Sequence, residues 1–433
     1  MRLAICGWPK ETPLHARDST KRFWRISAAG VFFQGGAAAV DTSTIIAALV
    51  HGLTGSTYAV GAAAAISRYG WLFPQLFVGY LAQRRQRRMP FYMIGAFGRV
   101  VCLAGVAGLL AIAGDLPNRS VIILFFALWT VYAFVSGIVA VPYNDIVARS
   151  VASARRSRLL AVRFFGVGLL ALGVAAVAHQ VLNTLTLTGG YAAVVLLGAV
   201  LLLISSLSFV SAGEPIAPLP QSSADGFVEF LRQGVAVFRT DHRFRLFVYA
   251  QWLGGGVVMA VPFYILQVIA TQGSAISVAF LLGAQTTGAL LSNALWGWWG
   301  DRHGKQSLFQ AVVVLRAAPP LLILFWVAMA GAWGVPTLAG FAVVFLLLGA
   351  VDNGITIAML GYLMEISPDD RRPAYSGYFN ALVAPAALLP LAGAVIVEVT
   401  SLAGVFAVSL GLAVLQFLTV RKLRAVSRGG LAC

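Results

Sequence analysis

The chain has 433 residues, of which 59% are hydrophobic and only 11% charged, and its mean hydropathy is +0.85. That is too apolar for a water-soluble globule and leaves too few charges to solvate a surface, so composition predicts a polytopic membrane protein. A net charge of +16 would point to nucleic acid in a soluble protein. Here the charge sits between long apolar runs and marks one membrane face, so no nucleic-acid partner is expected.

Crossing about 30 Å of hydrocarbon takes roughly 20 apolar residues in a helix, and runs of that length recur along nearly the whole chain. The alternating pattern of a membrane β-barrel is missing, so the expected fold class is all-α. Cys6, Cys102 and Cys433 are scattered without ligand spacing, which predicts neither a disulfide framework nor a metal site. No compact apolar region with a small-residue cleavage site precedes the first span, so no removable signal peptide is expected.

Residues 1 to 25 are polar and basic, with Arg17, Lys21, Arg22 and Arg25 leading into span 1, about 26 to 50, which carries Asp41 in its outer half. Span 2, about 57 to 82, holds Arg68 and Gln75 seven residues apart, hence on one helical face, and ends at the basic run Arg84 to Arg88. Span 3, about 91 to 113, carries Arg99, and span 4, about 120 to 141, leads into Pro142-Tyr143-Asn144-Asp145 and a loop with Arg149, Arg155, Arg156 and Arg158. Span 5, about 161 to 181, opens with Arg163 and carries Gly166, Gly168 and Gly173, small residues that let a neighbouring helix approach closely. Span 6 runs from about 190 to 211.

The long polar stretch 213–243, with Pro215, Pro218, Pro220 and an amphipathic pattern around Phe227 to Phe238, reads as a linker between a bundle at 1–212 and one at 244–433. Spans 7 to 12 are expected at about 245 to 270, 275 to 299, 308 to 330, 336 to 363, 375 to 397 and 402 to 420. Of the 31 lysines and arginines, only Arg119 falls in an outer loop, and Arg68, Arg99 and Arg316 fall within spans. All others share one face, which predicts two cytoplasmic termini and insertion in a cell membrane, a bacterial inner membrane by expectation.

The turn between spans 8 and 9 reads Gly297-Trp-Trp-Gly-Asp301-Arg302-His303-Gly304-Lys305, and it resembles the loop signature of the major facilitator superfamily of secondary transporters. Counting back 218 residues from Gly297 lands on Gly79, which opens a degraded second copy where Gln83 replaces the aspartate and Arg84 is kept. The stretches from Leu53 to Gln75 and from Arg371 to Asn380 look like a branch of that superfamily whose substrates are mostly unassigned. The resemblance implies twelve transmembrane helices in two pseudo-symmetric six-helix bundles that rock about a central site. It also implies that Gly297, Asp301, Arg302, Gly304 and Lys305 control the exchange between states, with Glu365 as a partner and Gly79, Arg84 and Asp145 as counterparts in the first half.

A charge at the bilayer centre costs about 2.5 to 3.5 kcal/mol on insertion scales, so such residues face a cavity or a partner. Asp41 and Arg68 both lie roughly 15 Å from the outer face at about 1.5 Å per residue, which lets them pair. Arg316 and Asp352 form a second candidate pair. With Gln75, these four are the candidates for substrate and ion coupling, against the alternative that each pair only locks helices together. Arg99 reads as structural, because span 3 is peripheral in the resembled fold. Three arginines and two aspartates leave one positive charge, which favours an anionic or carboxylate-bearing solute.

No glycine-rich ATP loop, His-Glu-x-x-His or Gly-x-Ser-x-Gly occurs, so neither an enzyme nor a cofactor is expected. The expected partners are a small-molecule substrate, a coupling proton or sodium ion and the lipid bilayer, with the chain a monomer. Two alternatives stand beside a gradient-driven transporter: an efflux antiporter of small amphipathic compounds, and a non-transporting receptor or assembly factor.

Overall fold

In hydrocarbon every backbone N–H and C=O must be satisfied within the protein, and a helix does this inside one segment. The computed structural model describes residues 13–82, 85–150, 153–215, 226–272, 276–333, 338–367 and 372–429, and among them there is helix but no strand. The first half consists of α1 (Pro13–Ala39), α2 (Ile45–Thr54), α3 (Thr57–Ala82), α4 (Met89–Ala111), α5 (Asn118–Ser150), α6 (Ser153–Thr184) and α7 (Leu187–Ala212). After the linker helix α8 (Phe227–Thr240) come α9 (His242–Val258), α10 (Val261–Gln272), α11 (Ile276–His303), α12 (Lys305–Leu315) and α13 (Ala318–Trp333). The chain closes with α14 (Leu338–Ile366), α15 (Arg372–Val383), α16 (Leu389–Val399) and α17 (Leu402–Gly429).

Among the described residues, ten rods are long and apolar enough to cross a membrane, three of them (α9 with α10, α12 with α13, and the rod ending in α16) being interrupted helices. The rod α1–α2 and helix α3, which carry Asp41 and Arg68, pack among them to complete twelve. The interruptions have local causes. Between α15 and α16 the helix tightens over Ala384–Leu388, where Pro385 and Pro390 remove backbone donors. Between α1 and α2 the run Asp41-Thr42-Ser43-Thr44 offers side-chain acceptors that compete with the helical ladder.

Within the first half α1 packs on α6 and α7, and α5 packs on α3 and α4; within the second α11 packs on α14, and α9 on α17. The α11–α14 crossing brings backbones into direct contact: a Cβ on Gly349 would lie 1.8 Å from the Gln285 carbonyl oxygen, and one on Gly288 1.9 Å from that of Leu346. Only glycine fits there.

The halves meet along α6 with α11 and α3 with α16. At the end away from the Gly297–Lys305 turn a single buried cluster runs through both halves, including Val50, Leu110, Tyr264 and Phe406. There α2 touches α10, and the Thr57 hydroxyl donates to the Glu398 carboxylate. At the turn end the cores are separate, one around Phe23, Tyr92 and Phe209 and the other around Phe247, Phe309 and Tyr362. The space between the halves is therefore closed at one end and opens toward the basic end. Helix α8 spans that opening, with Phe227 stacked 5.2 Å from Phe77 of the first half and Gln233 accepting from the Tyr378 hydroxyl of the second at 3.1 Å.

Candidate functional site

A cavity of about 630 Å³ lies between the halves, and both line it. Asp41, Arg68, Arg316 and Asp352 are all in its wall, as is Arg99. Gln75 is not among the lining residues; its amide donates to the Trp71 carbonyl one turn back on α3 at 2.6 Å.

Asp41 stands at the break between α1 and α2 and caps the latter. Its Oδ1 accepts from the backbone N–H of Ser43 (3.0 Å) and Thr44 (2.9 Å) and from the hydroxyls of Ser43 (2.5 Å) and Thr44 (2.8 Å). These bonds supply the orphan donors at a helix start. The Ser43 hydroxyl oxygen in turn accepts from Nε2 of Gln285 on α11 at 3.2 Å, so the cap is tied across the cavity to the other half. No ion pair among the described residues joins Asp41 to Arg68. Instead Arg68 lies within electrostatic reach of Asp352, as does Arg316.

Arg316 occupies the break between α12 and α13, where its Nη1 donates to Oε1 of Gln416 at 3.3 Å, and the Gln416 amide donates to the Ala250 carbonyl at 2.9 Å. Asp352, on α14, is exposed to the cavity. Arg99, on α4, is 1% exposed, with its guanidinium carbon 4.9 Å from the Phe33 ring centroid. Tyr132 lines the cavity, while Trp129, Phe263 and Tyr264 are buried.

At the basic end, Gly304 adopts φ +83° and begins α12, a left-handed backbone that favours glycine. Asp301 is exposed and pairs with Lys305 at 3.1 Å, while Arg302 sits 5.7 Å from the Trp298 ring centroid. The Lys305 stem runs against Gly361 of α14, where a Cβ would lie 3.1 Å from its Cδ. Gly297 and Gly79 face open space, and Glu365 is exposed. Gln83 and Arg84 lie outside the described residues.

In the first half Asp145 pairs with Arg88 and Arg149, and Arg149 pairs with Glu214 at 2.9 Å. Glu214 also accepts from the backbone N–H of Arg88 and Met89 at 2.8 Å, which caps α4. Burial works against the Arg149 charge, but the hydrogen bonds of Glu214 and Asp145 outweigh it and hold its pKa above the ordinary arginine value.

Ser43, Gln285, Gln416 and Glu214 were not singled out from the sequence. The three amides Gln251, Gln285 and Gln416 do carry a signal there, a polar group inside an apolar run, which needs a partner or a cavity for the same reason that a charge does.

A sequence model described as Major Facilitator Superfamily matches residues 257–430. Comparison with curated proteins finds no sequence match. Among solved structures, the chain is similar to a point mutant of the nucleoside transporter NupG, with TM-score 0.71 and 12% identity over 93% of this chain and 99% of that one. It is also similar to an auto-inhibited POT family peptide transporter, with TM-score 0.69 and 14% identity over 95% and 97% of the two chains. A POT family transporter in complex with 5-aminolevulinic acid gives TM-score 0.68 and 12% identity over 97% and 98%. These identities carry the fold alone, and the second half carries the family's sequence pattern as well. The comparisons thus agree: residues 257–430 match the sequence model of the major facilitator superfamily, and the chain as a whole has the fold of these transporters.

Proposed function

We propose that the protein is a secondary transporter that moves a small anionic, carboxylate-bearing solute across a cell membrane by alternating access, coupled to a proton or another cation. The observation that carries this reading is the cavity itself: it lies between two halves, is sealed at one end, and is lined by three arginines and two aspartates. Burying those charges in a membrane protein is costly unless they meet a partner or a cargo.

The coupling element in this reading is the chain from Asp41 through Ser43 to Gln285. An ionised Asp41 accepts the Ser43 hydroxyl proton, which leaves the Ser43 oxygen free to accept from Gln285 across the interface. Protonating Asp41 removes acceptor capacity at the α2 cap and frees the Ser43 hydroxyl to turn, which loosens a contact holding the sealed end. A proton on Asp41 thus favours opening at that end, the population shift that coupled transport requires. Asp352, within electrostatic reach of both Arg68 and Arg316, offsets positive charge on that side of the cavity. Both termini and the basic turn are assigned to the cytoplasm on the charge bias, so the state described faces inward.

The test is uptake of a panel of small organic acids into proteoliposomes, with and without a pH gradient. Asp41→Asn is expected to abolish accumulation against the gradient while preserving counterflow exchange. Accumulation by Asp41→Asn would reduce Asp41 to a helix cap. Absence of both uptake and counterflow for every acid, in folded wild-type protein, would favour a non-transporting protein.

A further inference from the structure

We infer that Arg99 is the anchor that holds the anionic group of the substrate, and that this group is a carboxylate attached to an apolar or aromatic body. The inference rests on the reading of the cavity as a transport site for an organic anion and assigns the residue that reads the charge.

Arg99 is 1% exposed and lines the cavity wall. Its Nε and Nη1 are enclosed and have no hydrogen-bond partner among the described residues. The groups within electrostatic reach are the phenols of Tyr92, Tyr132 and Tyr143, and the face below is the Phe33 ring. None of these is an anion at neutral pH. A cation over a ring gains something, but far less than a desolvated guanidinium loses when its hydrogen bonds go unmade.

The other cavity charges are committed. The Asp41 carboxylate is occupied by the backbone and hydroxyls of Ser43 and Thr44. Asp352 stands near both Arg68 and Arg316, and Arg316 also has Gln416. Of the three cavity arginines, Arg68 and Arg316 share Asp352, whereas the partners of Arg99 are phenols and a ring with no carboxylate among them. A planar guanidinium presents paired donors that match a carboxylate. Phe33 and Tyr132, both in the cavity wall beside it, provide an aromatic shelf for whatever the acid group is attached to.

A structural arginine and a binding arginine predict opposite stabilities for the empty protein. Neutralising an unpaired buried charge with a side chain of similar reach relieves a penalty, as at other functional sites where stability is given up for binding. The experiment uses full-length protein in detergent, with benzoate, phenylacetate and hexanoate as probes and their neutral amides as controls, read by calorimetry and thermal shift. Wild type is expected to bind at least one carboxylate and to ignore its amide. Arg99→Met should bind that carboxylate at least tenfold more weakly yet melt higher than wild type when empty. Arg99→Lys, which keeps the charge and loses the fork, should melt like wild type and bind with intermediate affinity.

Undiminished carboxylate binding by Arg99→Met would overturn the assignment while leaving an anionic substrate in place. Failure of folded wild type to bind any of the carboxylates would overturn the anionic cargo and the anchor together. A lower melting temperature for empty Arg99→Met, or its failure to fold, would make Arg99 a packing element and sink the proposal.

Discussion

Arg99 on α4 and Arg316 at the α12–α13 break stand 217 residues apart at equivalent places in the two halves, and both line the same cavity. Arg316 is tied by a hydrogen bond to Gln416, which is itself tied to the Ala250 carbonyl, and Asp352 lies nearby. Arg99 has the Phe33 ring and the phenols of Tyr92, Tyr132 and Tyr143 near it, and its Nε and Nη1 have no hydrogen-bond partner among the described residues. The same contrast recurs in the third span of each half: α4 is continuous, whereas its counterpart is broken at the arginine. A repeated scaffold thus supports an asymmetric site. Each half can keep the packing that makes a six-helix bundle while its polar positions diverge.

The largest expected effect tests the packing side of that comparison. Gly349→Val forces a branched side chain into the Gln285 backbone and should abolish monodisperse protein on size exclusion. In the first half, Gly137→Val meets the Gly70 carbonyl, where a Cβ would lie 2.4 Å away, and should be damaging in the same way. Gly79→Ala, which faces open space, should leave the profile unchanged. A well-behaved Gly349→Val would show that α11 and α14 do not cross as described.

Next in size is the polar side. Gln416→Leu strips Arg316 of its acceptor and should lower stability by about 1 to 3 kcal/mol, the cost of a buried charged donor left unpaired. The effect should be specific to the second half, since the equivalent stretch of α7 around Ala199 carries no amide. Thermal unfolding with and without Arg316→Met in a double-mutant cycle measures the coupling, and additive effects would mean that the two residues do not interact.

A smaller loss is expected at the basic end of the first half. Glu214→Gln removes the charge that caps α4 and pairs with Arg149, and should cost about 1 to 2 kcal/mol. Because charge carries the interaction, added salt should narrow the gap between variant and wild type. A gap that does not respond to salt would assign the effect to packing.

Asp301→Asn is expected to have the smallest effect on binding. Asp301 is 82% exposed and pairs only with Lys305 among the described residues, so substrate affinity should stay at the wild-type value. Its influence should appear in the rate of exchange between states, read as slower counterflow. A changed affinity with an unchanged rate would reverse the assignment.

The sequence alone determined that the protein is an all-α membrane protein, because hydrophobic run length and the need to satisfy backbone groups in lipid are local properties of the chain. It also exposed the Gly297–Lys305 turn, whose glycine and charge pattern is contiguous, and it flagged Asp41, Arg68, Arg316 and Asp352 because a charge inside an apolar run is conspicuous wherever it points. What it could not decide is partnership. Matched depth along two helices suggested Asp41 with Arg68, but depth does not fix rotation about a helix axis, and only the packing shows Asp41 turned onto its own chain at Ser43 and Thr44. Arg99 was read as structural from its span, and only the packing of α1 against its neighbours brings Phe33 beneath it and leaves its Nε and Nη1 without a hydrogen-bond partner among the described residues. Gln285 and Gln416 meet their partners 242 and 100 residues away, a distance over which no periodicity in the chain carries information.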